Sequence, residues 1–171
     1  MKAVLCKAFG MPETLVVEDI DSSTVTGGEV KIRVRACGVN FPDALMIQGL
    51  YQVKPPFPFS PGMEVSGDVI EVGAGVDNVQ VGQRVMAVLN YGGFAEEVVV
   101  PAMMAMPLPP NMSYEDAAGF PLVYGTSHVA LAHRGKLQTG ETLLVLGAAG
   151  GVGLTAVELG KLMGAKVIAA A

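Results

Sequence analysis

Four glycines crowd into Gly147-Ala148-Ala149-Gly150-Gly151-Val152-Gly153. A loop of this composition can press backbone N–H groups against a phosphate, because no side chain stands in the way. A helix starting there adds unpaired donors and a favourable dipole. The spacing resembles Gly-x-Gly-x-x-Gly, with Ala148 in the first position and Gly147 just before it. No Lys-Ser or Lys-Thr follows, so the loop is not a P-loop. The same residues would also suit a plain tight turn between a strand and a helix. Other reactive side chains are sparse. His128 and His133 lie five apart, off the i, i+4 spacing that would put both on one metal, and are expected at the surface. Cys6 and Cys37 form no CxxC and read as reduced core thiols, which fits a cytoplasmic protein.

The glycine loop needs a strand before it and a helix after it, and the sequence supplies both. Glu141–Leu146 is an apolar run without alternation, as expected of a strand covered on both faces. Val152, Ala156, Leu159 and Met163 then form one helical stripe, which Gly164 can terminate. Lys166–Ala171 is a second short strand, and strand–helix–strand is a βαβ unit. Upstream, Val123–His133 reads as a helix ending near Gly135. Ser113 can cap another, with Asp116 three residues on.

The first hundred residues are instead strand-like. Along Glu29–Ala36, Val30, Ile32, Val34 and Ala36 share one face and Lys31, Arg33 and Arg35 the other. Ala3–Cys6, Leu15–Val17, Glu64–Val72, Arg84–Leu89 and Ala95–Val100 are further strands between glycine-rich turns, which favours an antiparallel barrel or sandwich. Met103, Met104 and Met106, before a proline-rich break, are expected to fill core gaps.

Composition excludes several classes. Of the 171 residues 51% are hydrophobic and 16% charged, which excludes a disordered chain. No apolar run approaches the roughly 20 residues of a spanning helix. The net charge of −5 is concentrated in residues 1–123, so nucleic acid and anionic membrane are not expected partners. The amino-terminal apolar stretch is too short for a signal peptide.

This order of elements, with Ala36-Cys37-Gly38-Val39-Asn40-Phe41-Pro42-Asp43, Pro61-Gly62-Met63-Glu64, Gly73-Ala74-Gly75-Val76, Val81-Gly82-Gln83-Arg84-Val85, Tyr124-Gly125-Thr126 and Gly147–Gly153, resembles the medium-chain dehydrogenase/reductase superfamily. More specifically, it resembles the zinc-free quinone oxidoreductase (zeta-crystallin-like) branch. The resemblance implies a β-rich GroES-like barrel domain over residues 1–123. From 124 to 171 it implies the first βαβ unit of a Rossmann α/β domain, the remainder missing. It also implies a homodimer and an NADPH cofactor. NADH stays open, because the residue that reads the ribose about 20 positions past the glycines would fall beyond Ala171. The chain is therefore expected to be incomplete, and inactive by itself.

The resemblance further implies roles for individual residues. Zinc-dependent relatives carry Cys where Asn40 stands and Gly-His-Glu where Gly62-Met63-Glu64 stands. An amide and a thioether thus replace two ligands of a site that needs about three, and no zinc is expected. Without zinc the remaining chemistry is hydride addition to a small activated electrophile, a quinone or an α,β-unsaturated carbonyl. Asn40 and Tyr51 would be catalytic, as donors to the substrate carbonyl. Asn40, Thr126, Gly147, Ala149, Gly150, Gly151, Val152 and Gly153 would contact the cofactor. Asn40 could instead cap the turn before Pro42, and Tyr51 could be a wall aromatic. Asp43 reads as structural. Leu45 stands where better-known quinone reductases often have tyrosine, which makes the pocket more apolar. An enoyl- or acrylate-type reductase and a non-catalytic NADP-binding protein are the alternatives.

Overall fold

A computed structural model describes residues 1–171. The chain divides into two compact units, Met1–Gly119 and Phe120–Ala171. The division falls four residues before the 123/124 boundary read from the sequence. Its reason is local: a helix starts at Pro121 and packs on a later helix of the second unit.

In the first unit, β1 (Lys2–Leu5) and β2 (Val16–Asp19) form an antiparallel ribbon. Five further strands are β3 (Glu29–Cys37), β4 (Glu64–Val72), β5 (Arg84–Val88), β6 (Glu97–Pro101) and β7 (Ala105–Pro107). They pair antiparallel in the order β6-β3-β4-β5-β7. Period-2 side chains explain the core: Val30 and Ile32 from β3 meet Val65 and Val69 from β4, Val85 and Ala87 from β5 and Val100 from β6. Arg33 and Arg35 stay exposed on the other face. Two short helices complete the unit, α1 (Phe41–Ile47) and α2 (Tyr114–Ala118). Ser113 caps α2, its hydroxyl accepting from the Asp116 N–H at 3.0 Å.

Outside the sheet core, Met103 is 83% exposed, and Met104 and Met106 are exposed as well. They therefore fill no core gap. The short 3-10 turn over Ala102–Met104 buries Ala102, and β7 buries Ala105, so small alanines take the space expected of methionine.

The second unit consists of α3 (Pro121–His128), a π-helical continuation over Val129–Arg134, β8 (Thr142–Leu146), α4 (Gly151–Leu162) and β9 (Lys166–Ala170). Strands β8 and β9 run parallel, with Leu143 beside Val167 and Val145 beside Ala169. β8 is covered on one face only: Val145 is buried, whereas Leu144 and Leu146 are exposed. α4 supplies the covering layer, with its buried Gly160 against Leu143 and Val167. Nothing among these residues covers the opposite face. The stripe on α4 also differs at its start. Val152 is exposed, and the buried positions are Thr155, hydrogen-bonded to Ser127, and Gly160, packed on Leu143 and Val167. The chain has no helix long and apolar enough to cross a membrane.

Candidate functional site

The glycine turn joins β8 to α4. Gly147 ends the strand in the left-handed region at φ +67°, which glycine adopts without the cost a Cβ would bring. The Ala148 N–H returns to the sheet, donating to the Ala170 carbonyl at 2.9 Å. Gly150 is the N-cap of α4 and offers no side-chain cap. The first-turn amides of Gly151, Val152 and Gly153 have no carbonyl of their own helix to reach. Such donors at a helix start with no side-chain cap are of the kind that can meet an anion. Gly153 holds the turn closed: a Cβ there would lie 2.8 Å from the Ala148 Cα and 2.9 Å from the Gly147 carbonyl carbon. The residues present therefore fit a pyrophosphate group.

α3 braces this turn from the side. The buried Ser127 hydroxyl donates to the Val152 carbonyl at 2.9 Å and lies 2.8 Å from the Thr155 hydroxyl. Thr155 Oγ1 also lies within hydrogen-bonding distance of the Val123 and Val152 carbonyls. Thr126, the neighbouring expected contact, is exposed on α3. The His128 and His133 rings meet edge to face with centroids 5.5 Å apart. No cluster of three or more His, Cys, Asp or Glu side chains is placed to hold a metal ion.

Asn40 is the N-cap of α1 in the first unit. Its backbone N–H donates to Asp43 Oδ2 at 2.8 Å, and Asp43 Oδ1 accepts from the Gly62 N–H at 3.0 Å. Asp43 is buried, and desolvation pushes its carboxyl above the ordinary range against the pull of those two donors. The Asn40 side-chain amide is engaged as well: Nδ2 donates to Glu64 Oε1 at 2.9 Å, and Glu64 is 1% exposed. Asn40 is thus both a helix cap and a held amide. Cys37 closes the group, its thiol donating to the Glu64 carbonyl at 3.0 Å. Burial, followed by the Asp43 and Glu64 charges, pushes that thiol up to about 12. It is no nucleophile near neutral pH. Cys6 is buried, and both cysteines are free. Tyr51 lies past the end of α1, partly exposed. The amide of Asn40 is engaged by Glu64 rather than by this phenol.

Residues 26–110 match the Alcohol dehydrogenase GroES-like domain. The quinone oxidoreductase-like protein 2 homolog of Nematostella vectensis is 44% identical over 172 residues, covering 99% of this chain and 47% of that protein. Among solved structures, the human synaptic vesicle membrane protein VAT-1 homolog-like protein superposes with a TM-score of 0.94 at 37% identity, covering 99% of this chain and 54% of the other. The quinone oxidoreductase from Thermus thermophilus, solved also in complex with NADPH, gives a TM-score of 0.87 at 40% identity, with coverage of 99% and 52%. The chain belongs to the quinone oxidoreductase-like branch of the medium-chain dehydrogenase/reductase superfamily. It spans about half the length of the curated relatives it matches.

Within this medium-chain dehydrogenase/reductase chain, three residues of the site escape sequence reading. Ser127 and Thr155 look like ordinary helix positions, and only the packing of α3 on α4 joins them. Glu64 stands out in the sequence only as a leftover metal-ligand position. A carboxylate beginning an apolar strand was the available signal, since burying a charge demands a partner.

Proposed function

We propose that the chain is the substrate-handling and phosphate-binding part of a zinc-independent, NADPH-dependent reductase. It would transfer a hydride to a quinone or an α,β-unsaturated carbonyl. The observation that carries this reading is the uncapped, glycine-lined start of α4, braced by Ser127 and Thr155. The NADPH complex of the Thermus thermophilus relative supports the choice of nucleotide.

A bound nicotinamide supplies the hydride. The chain's own residues do the rest. The amides of Gly151, Val152 and Gly153 hold the nucleotide phosphates, with Gly147, Ala149 and Gly150 keeping their approach clear and Thr126 presented on the adjoining helix. In the first unit Asn40 has two amide hydrogens, one committed to Glu64. The second is available to polarise a substrate carbonyl, where a preorganised donor lowers the cost of developing negative charge. Tyr51 can donate its phenolic proton to the reduced product. Neither role requires a metal.

The test is NADPH and NADH titration by calorimetry on the full-length protein, followed by nucleotide oxidation against a benzoquinone, a naphthoquinone and a short enone. NADPH binding with turnover of at least one acceptor is expected. Preference for the enone would make the enzyme an enoyl-type reductase. Binding without turnover of any acceptor would mean a nucleotide-binding protein, and absence of binding would overturn the reading.

A further inference from the structure

We propose that Glu64 is a positioning residue that fixes which end of the Asn40 amide is presented to a substrate carbonyl; this rests on reading Asn40 as the carbonyl donor. The two ends of an asparagine amide have nearly the same shape and opposite hydrogen-bonding character. A carboxyl oxygen that carries no proton can only accept, so Oε1 pairs with the NH2 end. Glu64 does this from an almost fully buried position, with Oε1 2.9 Å from Asn40 Nδ2. The oxygen of the amide is thereby turned away from Glu64, and the second N–H keeps a defined direction.

The surroundings hold both partners in place. Asp43 bridges the backbone N–H groups of Asn40 and Gly62, tying the start of α1 to the segment that leads into β4. The Cys37 thiol grips the Glu64 backbone carbonyl. Gly38 leaves room for the carboxyl: a Cβ there would lie 2.8 Å from Glu64 Cγ and 2.5 Å from the Ala118 carbonyl oxygen. The hydrogen bond from Asn40 and the clearance at Gly38 involve the Glu64 side chain itself, whereas Asp43 and Cys37 hold the backbone on either side of it. A buried carboxyl needs its partner, because a buried polar group without a hydrogen bond is costly. The arrangement therefore reads as a support for the amide, of the kind that holds a reacting group to a narrow range of directions.

The experiment compares wild type with Glu64→Met, which removes the acceptor at similar length, and Glu64→Gln, which keeps an acceptor oxygen. Hydrogen exchange of the Asn40 side-chain NH2 is followed by 15N NMR, with the exposed Asn90 and Asn111 as internal references. Exchange at Asn40 is expected to be at least tenfold slower than at the references in wild type. It should approach theirs in Glu64→Met and be largely restored in Glu64→Gln. In turnover by the full-length protein, Glu64→Met is expected to lower kcat at least tenfold with NADPH affinity changed less than twofold, and Glu64→Gln to recover most of the loss. Wild-type exchange at Asn40 as fast as at Asn90 would overturn the proposal even if Glu64→Met failed to fold. Unchanged kcat in a folded Glu64→Met that has lost the protection would also overturn it. Loss of protection where the full-length wild type reduces no acceptor would instead sink the reductase reading, and with it the substrate role of the amide.

Discussion

Replacing Gly153 with alanine strikes the turn on which nucleotide binding is argued to depend. The added methyl would fall on the Gly147 carbonyl oxygen, its nearest neighbour, and lie 2.8 Å from the Ala148 Cα and 2.9 Å from the Gly147 carbonyl carbon. Carbon atoms in contact prefer about 3.5–4.0 Å, so the backbone would have to yield by at least about 1 Å, most of all at the Gly147 oxygen. No flexible side chain can absorb the shift, and Gly147 is already committed to its left-handed conformation. Overpacking costs about 1–3 kcal/mol in general, and a clash with backbone alone belongs at the upper end. Alanine's better helix propensity offsets at most about 1 kcal/mol, which leaves a net loss of about 2 kcal/mol. For a protein of this size that is a fall in Tm of about 4–8 °C. Gly150→Ala is the control. Its φ is −80°, and a methyl there would make ordinary contact at 3.5 Å with the Gly147 carbonyl oxygen. Its Tm should stay within about 2 °C of wild type. That methyl nevertheless stands beside the free amides, so NADPH affinity should fall about tenfold or more, equivalent to ~1.4 kcal/mol. Thermal melts and calorimetric titration read the two effects separately. Gly153→Ala melting with wild type, or Gly150→Ala binding NADPH normally, would refute the reasoning.

Three further outcomes are expected. Thr155→Val, which strips the buried hydroxyl between Ser127 and the Val123 and Val152 carbonyls, should cost about 1–3 kcal/mol in urea unfolding; a loss under about 0.5 kcal/mol would remove the bracing role. With its thiol raised from 9.0 to about 12, Cys37 should resist iodoacetamide at pH 8 in the native protein and react once urea is added. Because the folded value is the higher one, the stability linked to this thiol is present below about pH 9 and lost as pH rises toward 12; rapid native labelling of Cys37 would contradict this. On the outer face of the sheet, burial acts to raise the Asp68 carboxyl, but the Tyr114 hydroxyl and Arg35, whose Nε lies 2.8 Å away, bring it below its ordinary value. Asp68→Asn should cost about 1 kcal/mol near neutral pH. As the folded value is the lower one, that difference should shrink as pH falls below about 4, and a difference independent of pH would count against the pairing.

The elements that could be read directly from the chain are those with a local period. β3 shows alternation over eight residues and α4 a stripe over twelve, and both form close to where they are expected. α1 was harder because it has seven residues, fewer than two turns. Its markers, Asn40, Pro42 and Asp43, predict a cap without revealing the helix behind it. β7 has three residues, the last of them Pro107, and exists through its pairing with β5. The exposed face of β8 shows a different limit: an uninterrupted apolar run states that both faces can be covered, not which neighbours do so.

The same division runs through the candidate site. Gly147 to Gly153 is legible because a turn, an uncapped helix start and a close backbone approach all depend on residues within seven positions of one another. The partner of Asn40 is not legible in that way. Asn40 and Glu64 are 24 residues apart, and they meet because β3 pairs with β4 and Asp43 clamps Gly62 to the start of α1. Local spacing governs which backbone conformations the chain can adopt. Strand register and burial govern which side chains share a desolvated space, and there Asn40 acquires a carboxylate and Cys37 keeps its proton.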